Sequence, residues 1–316
     1  MARYKAAVTG LGHVGLLFDD DPKRTGVWTH SRAYERLAKR FELVAACDPD
    51  SVRRTKAQAR FPGLHVYSQL EDMIGSEKLD VISLCTPPEL HLGQIGALAG
   101  RVRAIICEKP LGGRGAAAAC VVDHCRSSGT LLAINYYKRF DGAVPAAAQL
   151  IRDGRIGAIR SASALYAGPL DAVGSHAIDL LCFLLGSLEL RHAERTADDR
   201  HIAVFRFAGD GRAVLQQTGP REELIFELDI IGSNGRIRIL DNCDRLEYKS
   251  FVASSRYSGY LELQDATTPA LKAAERFLPL FEEVADCLDG GAVTLTSDGT
   301  SALIAQNLLE KITDAC

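Results

Sequence analysis

The sequence predicts two folded regions: an N-terminal α/β region built on a doubly wound parallel sheet, and a C-terminal α+β region with a mostly antiparallel open sheet and helices on one face. Three observations predict this. A chain of 316 residues exceeds what one hydrophobic core usually supports. Up to Tyr136, short apolar runs alternate with amphipathic stretches, as βαβ units do. Beyond Phe140 the grammar changes to a succession of strand-like runs separated by short turns.

In order, Tyr4–Thr9 reads as a strand, Arg32–Arg40 as a helix and Glu42–Cys47 as a second strand. Val52–Phe61 reads as a helix, His65–Tyr67 as a short strand and Leu70–Ile74 as a short helix. Val81–Thr86 is continuously apolar at its start, as a strand must be when helices cover both sheet faces. Helix His91–Ala99, strand Ala104–Glu108, helix Arg114–Ser127 and strand Leu131–Tyr136 complete the alternation. In the second region, helix Pro145–Asp153, strand Ile159–Tyr166 and helix Ser175–Leu185 precede the strand series. That series is Leu188–Arg195, His201–Phe207, Arg212–Thr218, Leu224–Ile231, Arg236–Leu240 and Arg245–Phe251. Helices Ala270–Leu288 and Gly299–Thr313 close the chain.

Composition narrows the function. A net charge of -3 and a pI near 6.3 argue against a nucleic-acid partner or a polybasic membrane surface. No apolar stretch approaches the roughly 20 residues a spanning helix needs, and no signal-like segment is expected, so no membrane partner is expected. The nine cysteines are scattered and form no C-x-x-C pair. Free thiols in a reducing cytoplasm fit that pattern, and neither a metal site nor a disulfide scaffold does.

Gly10-Leu11-Gly12-His13-Val14-Gly15 is a G-x-G-x-x-G run placed directly after the first strand. Gly10 permits a tight turn, Gly12 lets backbone approach a pyrophosphate, and Gly15 allows close helix–strand packing. The second strand closes on Asp48, whose carboxylate can accept ribose hydroxyls and repels a 2′-phosphate. The pairing points to a Rossmann site for NAD, with NADP disfavoured. From Gly15 to Asp48 the chain counts 33 residues where roughly 20 are usual. The excess lies in the polar segment Asp19–Trp28, which reads either as a surface loop closed by Trp28 or as a flap presenting Trp28 or His30 to substrate.

Two further motifs sit at strand ends, where an open α/β sheet binds its ligands. One is Thr86-Pro87-Pro88-Glu89-Leu90-His91 and the other is Glu108-Lys109-Pro110. With Asn135-Tyr136-Tyr137-Lys138-Arg139-Phe140, Gly174-Ser175-His176-Ala177-Ile178-Asp179 and the terminal Thr294–Ala305 segment, the chain resembles the Gfo/Idh/MocA family (glucose–fructose oxidoreductase, inositol dehydrogenase and relatives). The resemblance implies a Rossmann domain over 1–137 and a substrate-binding and oligomerisation domain over 138–316. It implies cofactor contacts at Thr86, Pro87, His91, Glu108, Lys109 and Asn135 besides those of residues 10–15. It also implies that Lys109 lies beside the nicotinamide and the reacting hydroxyl, with His176 as the proton acceptor. A lysine cation can orient an alcohol oxygen, and a histidine can take its proton near neutral pH.

Many members carry an Asp four residues before that His; here position 172 is Ala. Asp171, five before, and Asp179, three after, are the candidate substitutes. The function expected is hydride transfer between NAD and a secondary alcohol or ketone of a sugar, cyclitol or nucleotide-linked sugar, by a cytoplasmic homodimer or homotetramer. The alternatives are an NAD-dependent glycosidase using transient oxidation and a non-catalytic dinucleotide-binding regulator.

Overall fold

Two sheets organise the protein in a computed structural model that describes residues 3–271 and 275–316. The first holds β1 (Tyr4–Thr9), β2 (Phe41–Cys47), β3 (His65–Tyr67), β4 (Val81–Leu84), β5 (Ala104–Cys107) and β6 (Leu131–Ile134). Its order is β3-β2-β1-β4-β5-β6, with every pairing parallel. All four residues of β4 and of β5 are buried, which is why their sequences are continuous apolar runs. The strand order reverses between β1 and β4, and there a doubly wound sheet opens a crevice at its carboxyl ends. Helices α1 (His30–Arg36), α2 (Ser51–Arg60), α3 (Leu70–Ser76), α4 (Pro88–Leu98) and α5 (Gly115–Ser128) connect the strands.

The second sheet belongs to a separate compact unit. After α6 (Ala143–Arg152) come β7 (Ile159–Ala167), α7 (Ser175–Leu185), β8 (Glu189–Arg195), β9 (His201–Phe207) and β10 (Gly211–Gly219). Next in the chain are β11 (Phe226–Gly232), β12 (Gly235–Leu240), β13 (Arg245–Ala253) and β14 (Leu261–Asp265). The order is β14-β13-β12-β11-β7-β10-β9-β8, antiparallel except for the β7–β10 pair. Along β11 the buried residues Phe226, Leu228 and Ile230 alternate with the half-buried Glu227, Asp229 and Ile231. A period of two assigns one sheet face to the core and the other to the surface. The apolar residues Val144, Ala147 and Leu150 of α6 are buried, and α6 packs against β12 and β13. The surface face carries ion pairs, Arg236 with Asp229 and Arg238 with Glu247 at 3.3 Å.

The units divide between Tyr137 and Lys138, and residues 275–303 group with the first unit although the sequence places them in the second domain. The cause is aromatic packing. Phe281 of α8 (Leu278–Leu288) meets Tyr34 at 5.0 Å and Phe41 at 6.4 Å, edge to face. Arg40 adds ion pairs to Asp286 at 2.9 Å and Asp289 at 3.0 Å. The helix expected over Ala270–Leu288 therefore starts at Leu278; part of its expected start, residues 272–274, lies outside the described residues. Of α9 (Gly299–Ala315), residues 299–303 group with the first unit and the remainder with the second. Among the described residues no helix is long and apolar enough to cross a membrane, and no His, Cys, Asp and Glu group could hold a metal ion.

Candidate active site

The glycine turn is built as its sequence requires. Gly10 has φ +87°, and a Cβ there would lie 2.6 Å from the Cys85 carbonyl oxygen. A Cβ on Gly15 would lie 1.9 Å from the Gly10 oxygen. Gly12 differs: a Cβ there would meet only Arg53 Nη1, at 3.8 Å, so this face of the turn is open to a ligand. Asp48 fixes the turn from below. Its Oδ2 accepts from the Leu11 amide at 2.7 Å and its Oδ1 from the Asp50 amide at 2.8 Å. The Arg53 guanidinium also lies 3.5 Å from Oδ2, and a carboxylate's remaining lone-pair capacity is what a ribose hydroxyl would use. Holding the turn is thus a second duty of Asp48 that its position in the sequence does not announce.

Past the turn, the chain departs from expectation. No long α-helix leaves Gly12. Leu16 and Leu17 donate to the Gly12 carbonyl at 3.0 Å and Phe18 to His13 at 2.9 Å, and the chain then leaves through a 3-10 turn at Leu17–Asp20. It returns at α1, where the His30 amide donates to Val14 at 2.9 Å and the Ser31 amide to Gly15 at 3.3 Å. In a continuous helix those carbonyls would accept from residues 18 and 19. The polar segment is thus spliced into the helix as an excursion over 18–29. Setting those twelve residues aside leaves 21 between Gly15 and Asp48, close to the roughly 20 expected.

The excursion is not a free loop. Asp19 accepts from the Trp28 amide at 3.1 Å and from the Thr29 hydroxyl, and Asp20 pairs with Lys56 at 2.6 Å. Trp28 lies between the guanidinium groups of Arg24 and Arg276, 5.0 and 4.5 Å from its ring, with its edge toward Tyr137. His13, exposed on the turn, stacks on Phe18 at 4.9 Å.

The strand-end motifs then separate into two kinds. His91 is fully buried and hydrogen-bonds the Pro110 carbonyl at 3.0 Å and the Thr86 carbonyl at 2.9 Å. Both ring nitrogens are spent on tying the two strand ends together, which corrects the expectation that His91 touches a cofactor. Thr86 Oγ1 donates to Gln94 at 2.6 Å, and Pro87 precedes the first turn of α4. Glu108 points inward: its Oε1 takes the His30 ring at 2.9 Å and the Asn135 amide at 2.7 Å. Burial would push this carboxyl up, but the His30 and Asn135 hydrogen bonds and the Lys109 charge outweigh it and hold the group below its usual range. Lys109 is half-buried at the end of β5. Asn135 Oδ1 and Thr9 Oγ1 are buried with no partner, which fits a site that a polar ligand completes.

In the second unit, His176 is the second residue of α7 and only 4% exposed. A π-helical turn, Leu170–Gly174, leads directly into that helix, with the Gly174 amide donating to Pro169 five residues back at 3.2 Å. Such a turn adds one residue to the helical repeat. By register, the position five before His176 therefore takes the place that position four holds in an α-helix, and that position is Asp171 rather than Ala172. Asp171 is exposed and lines a surface depression of about 520 Å³ with Arg195, His201 and Arg221; His176 does not line it. Asp179 is a correction. Both its oxygens are held by Arg139, at 2.9 and 2.6 Å, in a fully buried pair. Burial pushes its carboxyl up, and Arg139 only partly reverses this. Asp179 anchors α7 to Arg139 instead of orienting His176.

Residues 24–136 match the Gfo/Idh/MocA family, described as an oxidoreductase family with an NAD-binding Rossmann fold. Over that stretch the chain is similar to the Gfo/Idh/MocA family. D-apiose dehydrogenase of Paraburkholderia graminis is 29% identical over 164 residues, 46% of this chain and 44% of the relative. An uncharacterised oxidoreductase of Schizosaccharomyces pombe is 26% identical over 160 residues, 50% of this chain and 40% of the relative. The chain thus spans less than half the length of these curated relatives. The solved WlbA dehydrogenase from Bordetella pertussis, in complex with NADH and UDP-GlcNAcA, superposes with a TM-score of 0.80 at 20% identity and covers 99% of this chain and 96% of its own. That likeness shows a shared fold. The family match begins at residue 24, inside the excursion that displaces the glycine turn from its usual spacing.

The two inner glycines should behave differently on substitution. Gly15→Ala forces backbone overlap and should cost about 3 kcal/mol or more in urea unfolding. Gly12→Ala should stay within about 1 kcal/mol of the parent yet weaken NAD binding about tenfold in a calorimetric titration. Equal stability of the two variants would contradict the geometry of the turn.

Proposed function

We propose that this protein is an NAD-dependent dehydrogenase or reductase acting on a secondary alcohol or ketone of a sugar, cyclitol or nucleotide-linked sugar. The observation that carries the reading is the fixed Glu108 carboxylate, next to Lys109 in the chain at the end of β5 and in the same unit as the open face of Gly12. The glycine turn, Asp48 and Asn135 would hold the dinucleotide, and bound NAD accepts or returns the hydride. Lys109 would orient the reacting oxygen and offset negative charge as it develops. His176 would take or return the hydroxyl proton. Asp171, five residues before His176 across the π turn, is proposed to take the part of the orienting carboxylate, and the Asp48 carboxylate would favour NAD over NADP. The named activities of relatives support the substrate class: D-apiose dehydrogenase and inositol 2-dehydrogenase by sequence, and the WlbA structure with UDP-GlcNAcA. We also propose a cytoplasmic homodimer or homotetramer that pairs through the surface face of the second sheet, where the alternating residues of β11 are half-buried.

Purified protein incubated with NAD and a panel of pentoses, inositols, anhydrosugars and UDP-sugars should produce reduced nicotinamide, read by absorbance. Release of aryl alcohol from glycosides would favour a glycosidase, and silence on every substrate would favour a regulator. Lys109→Ala and His176→Ala should each lower turnover about 10²–10⁴-fold, with NAD affinity of the His176 variant within a few-fold of the parent. Asp171→Asn should slow turnover and flatten its pH profile; Asp179→Asn should instead unfold the protein more readily, by about 3–5 kcal/mol, because it removes the negative charge from a buried ion pair. Full rates in both Lys109→Ala and His176→Ala would refute the mechanism. Sedimentation at micromolar concentration should show a dimer or tetramer, and a pure monomer would exclude the assembly.

A further inference from the structure

The excursion after the glycine turn delivers one residue that the proposed reaction leaves unused. His30 is fully buried, its amide is bonded to the glycine turn at Val14, and its ring is bonded to Glu108, the residue before Lys109. The imidazole therefore joins the dinucleotide turn to the end of β5. Its other nitrogen, Nδ1, has no partner, and the rings of Phe277 and Phe281 stand edge to face at 5.4 and 5.2 Å. A buried N–H without an acceptor forfeits the hydrogen bond it would make to water. The geometry thus assigns the ring proton to Nε2, where it donates to Glu108 Oε1. The Asn135 amide donates to the same oxygen at 2.7 Å.

We propose that His30 is a positioning residue for Lys109: with Asn135 it clamps one oxygen of Glu108, so that a fixed, ionised carboxylate beside Lys109 keeps that lysine an ammonium ion. The groups facing Glu108 are His30 from α1, Asn135 beyond β6, Lys109 itself and the thiols of Cys85 and Cys107. Burial and the Glu108 charge hold both thiols well above the usual thiol range, so neither competes as an anion. Tyr34, also buried on α1, is turned to Ser83 at 2.8 Å. The clamp converts a solvent-avoiding carboxylate into a charge of fixed position, and the lysine that would meet substrate inherits its charge state from that position.

The proposal rests on the reading of Lys109 as the group that orients the reacting oxygen, so the test reads the lysine directly and needs no substrate. The whole protein is pulse-labelled with acetic anhydride across a pH series, and acetylation of Lys109 is quantified by mass spectrometry with exposed lysines as internal standards. Replacing Glu108 by Gln should lower the lysine's titration midpoint by about one unit and raise its labelling near pH 8 about tenfold. His30→Leu should raise labelling about threefold or more, because the carboxylate loses one of two donors. His30→Gln, which can present an N–H to the same oxygen, should remain within about twofold of the parent. A folded His30→Leu protein with the parent's labelling curve would overturn the proposal. If the Leu variant does not fold, a parental curve in Glu108→Gln overturns it equally. A shifted lysine in a protein that oxidises no sugar would sink the dehydrogenase reading alone; turnover with no shift would sink the role of His30 alone.

Discussion

At position 15 the backbone passes so close to Gly10 that a side chain would lie 1.9 Å from its carbonyl oxygen, and the first unit depends on that approach. It closes the turn after β1 and keeps the Val14 and Gly15 carbonyls within reach of α1. Because the chain re-enters there, His30 is set under the end of β5 and reaches Glu108. Asp48 fixes the turn from the second strand through the Leu11 amide. One local steric constraint thus aligns the dinucleotide turn, the β2 carboxylate and the β5 lysine. The excursion over 18–29 can be accommodated because it interrupts the helix only after its first turn, leaving the constrained part intact.

Buried charge is handled in the same way in both units. Glu108 is held by two side-chain hydrogen bonds and Asp179 by a guanidinium with both oxygens engaged. Removing a carboxylate from water costs several kcal/mol unless hydrogen bonds replace the solvent. Full pairing explains how each survives burial, and it leaves Asp179 committed to Arg139. The two carboxylates therefore have different fates: one stands next to a half-buried lysine, the other only secures a helix.

The fold is legible in the sequence wherever a pattern has one physical cause. Continuous apolar runs at Val81–Leu84 and Ala104–Cys107 allow little but a buried parallel strand, and the alternation along Phe226–Ile231 fixes its faces. Helix Ser175–Leu185 matches its expected bounds to the residue. What escapes depends on contacts distant in sequence. Helix α1 begins at His30 because the Thr29 side chain accepts from the Arg32 amide; a Thr shortly before the apolar pattern is the available signal. Strand β14, Leu261–Asp265, is short, polar and at a sheet edge, so periodicity does not reveal it. The π turn before His176, the Arg139–Asp179 pair and the return of residues 275–303 to the first unit leave no local trace. His91 misleads because a motif gives a residue's position but not its partners.

The central claim is that the first unit holds NAD against the glycine turn, and the protein's single Trp makes it directly measurable. Trp28 lies on the excursion of that same unit, so its emission can pass to a reduced nicotinamide bound there. NADH titrated into the protein under Trp excitation should quench that emission saturably and elicit emission from the nicotinamide, with half-saturation below about 1 mM. Trp emission that changes only linearly with NADH, with no sensitised nicotinamide signal, would contradict the account.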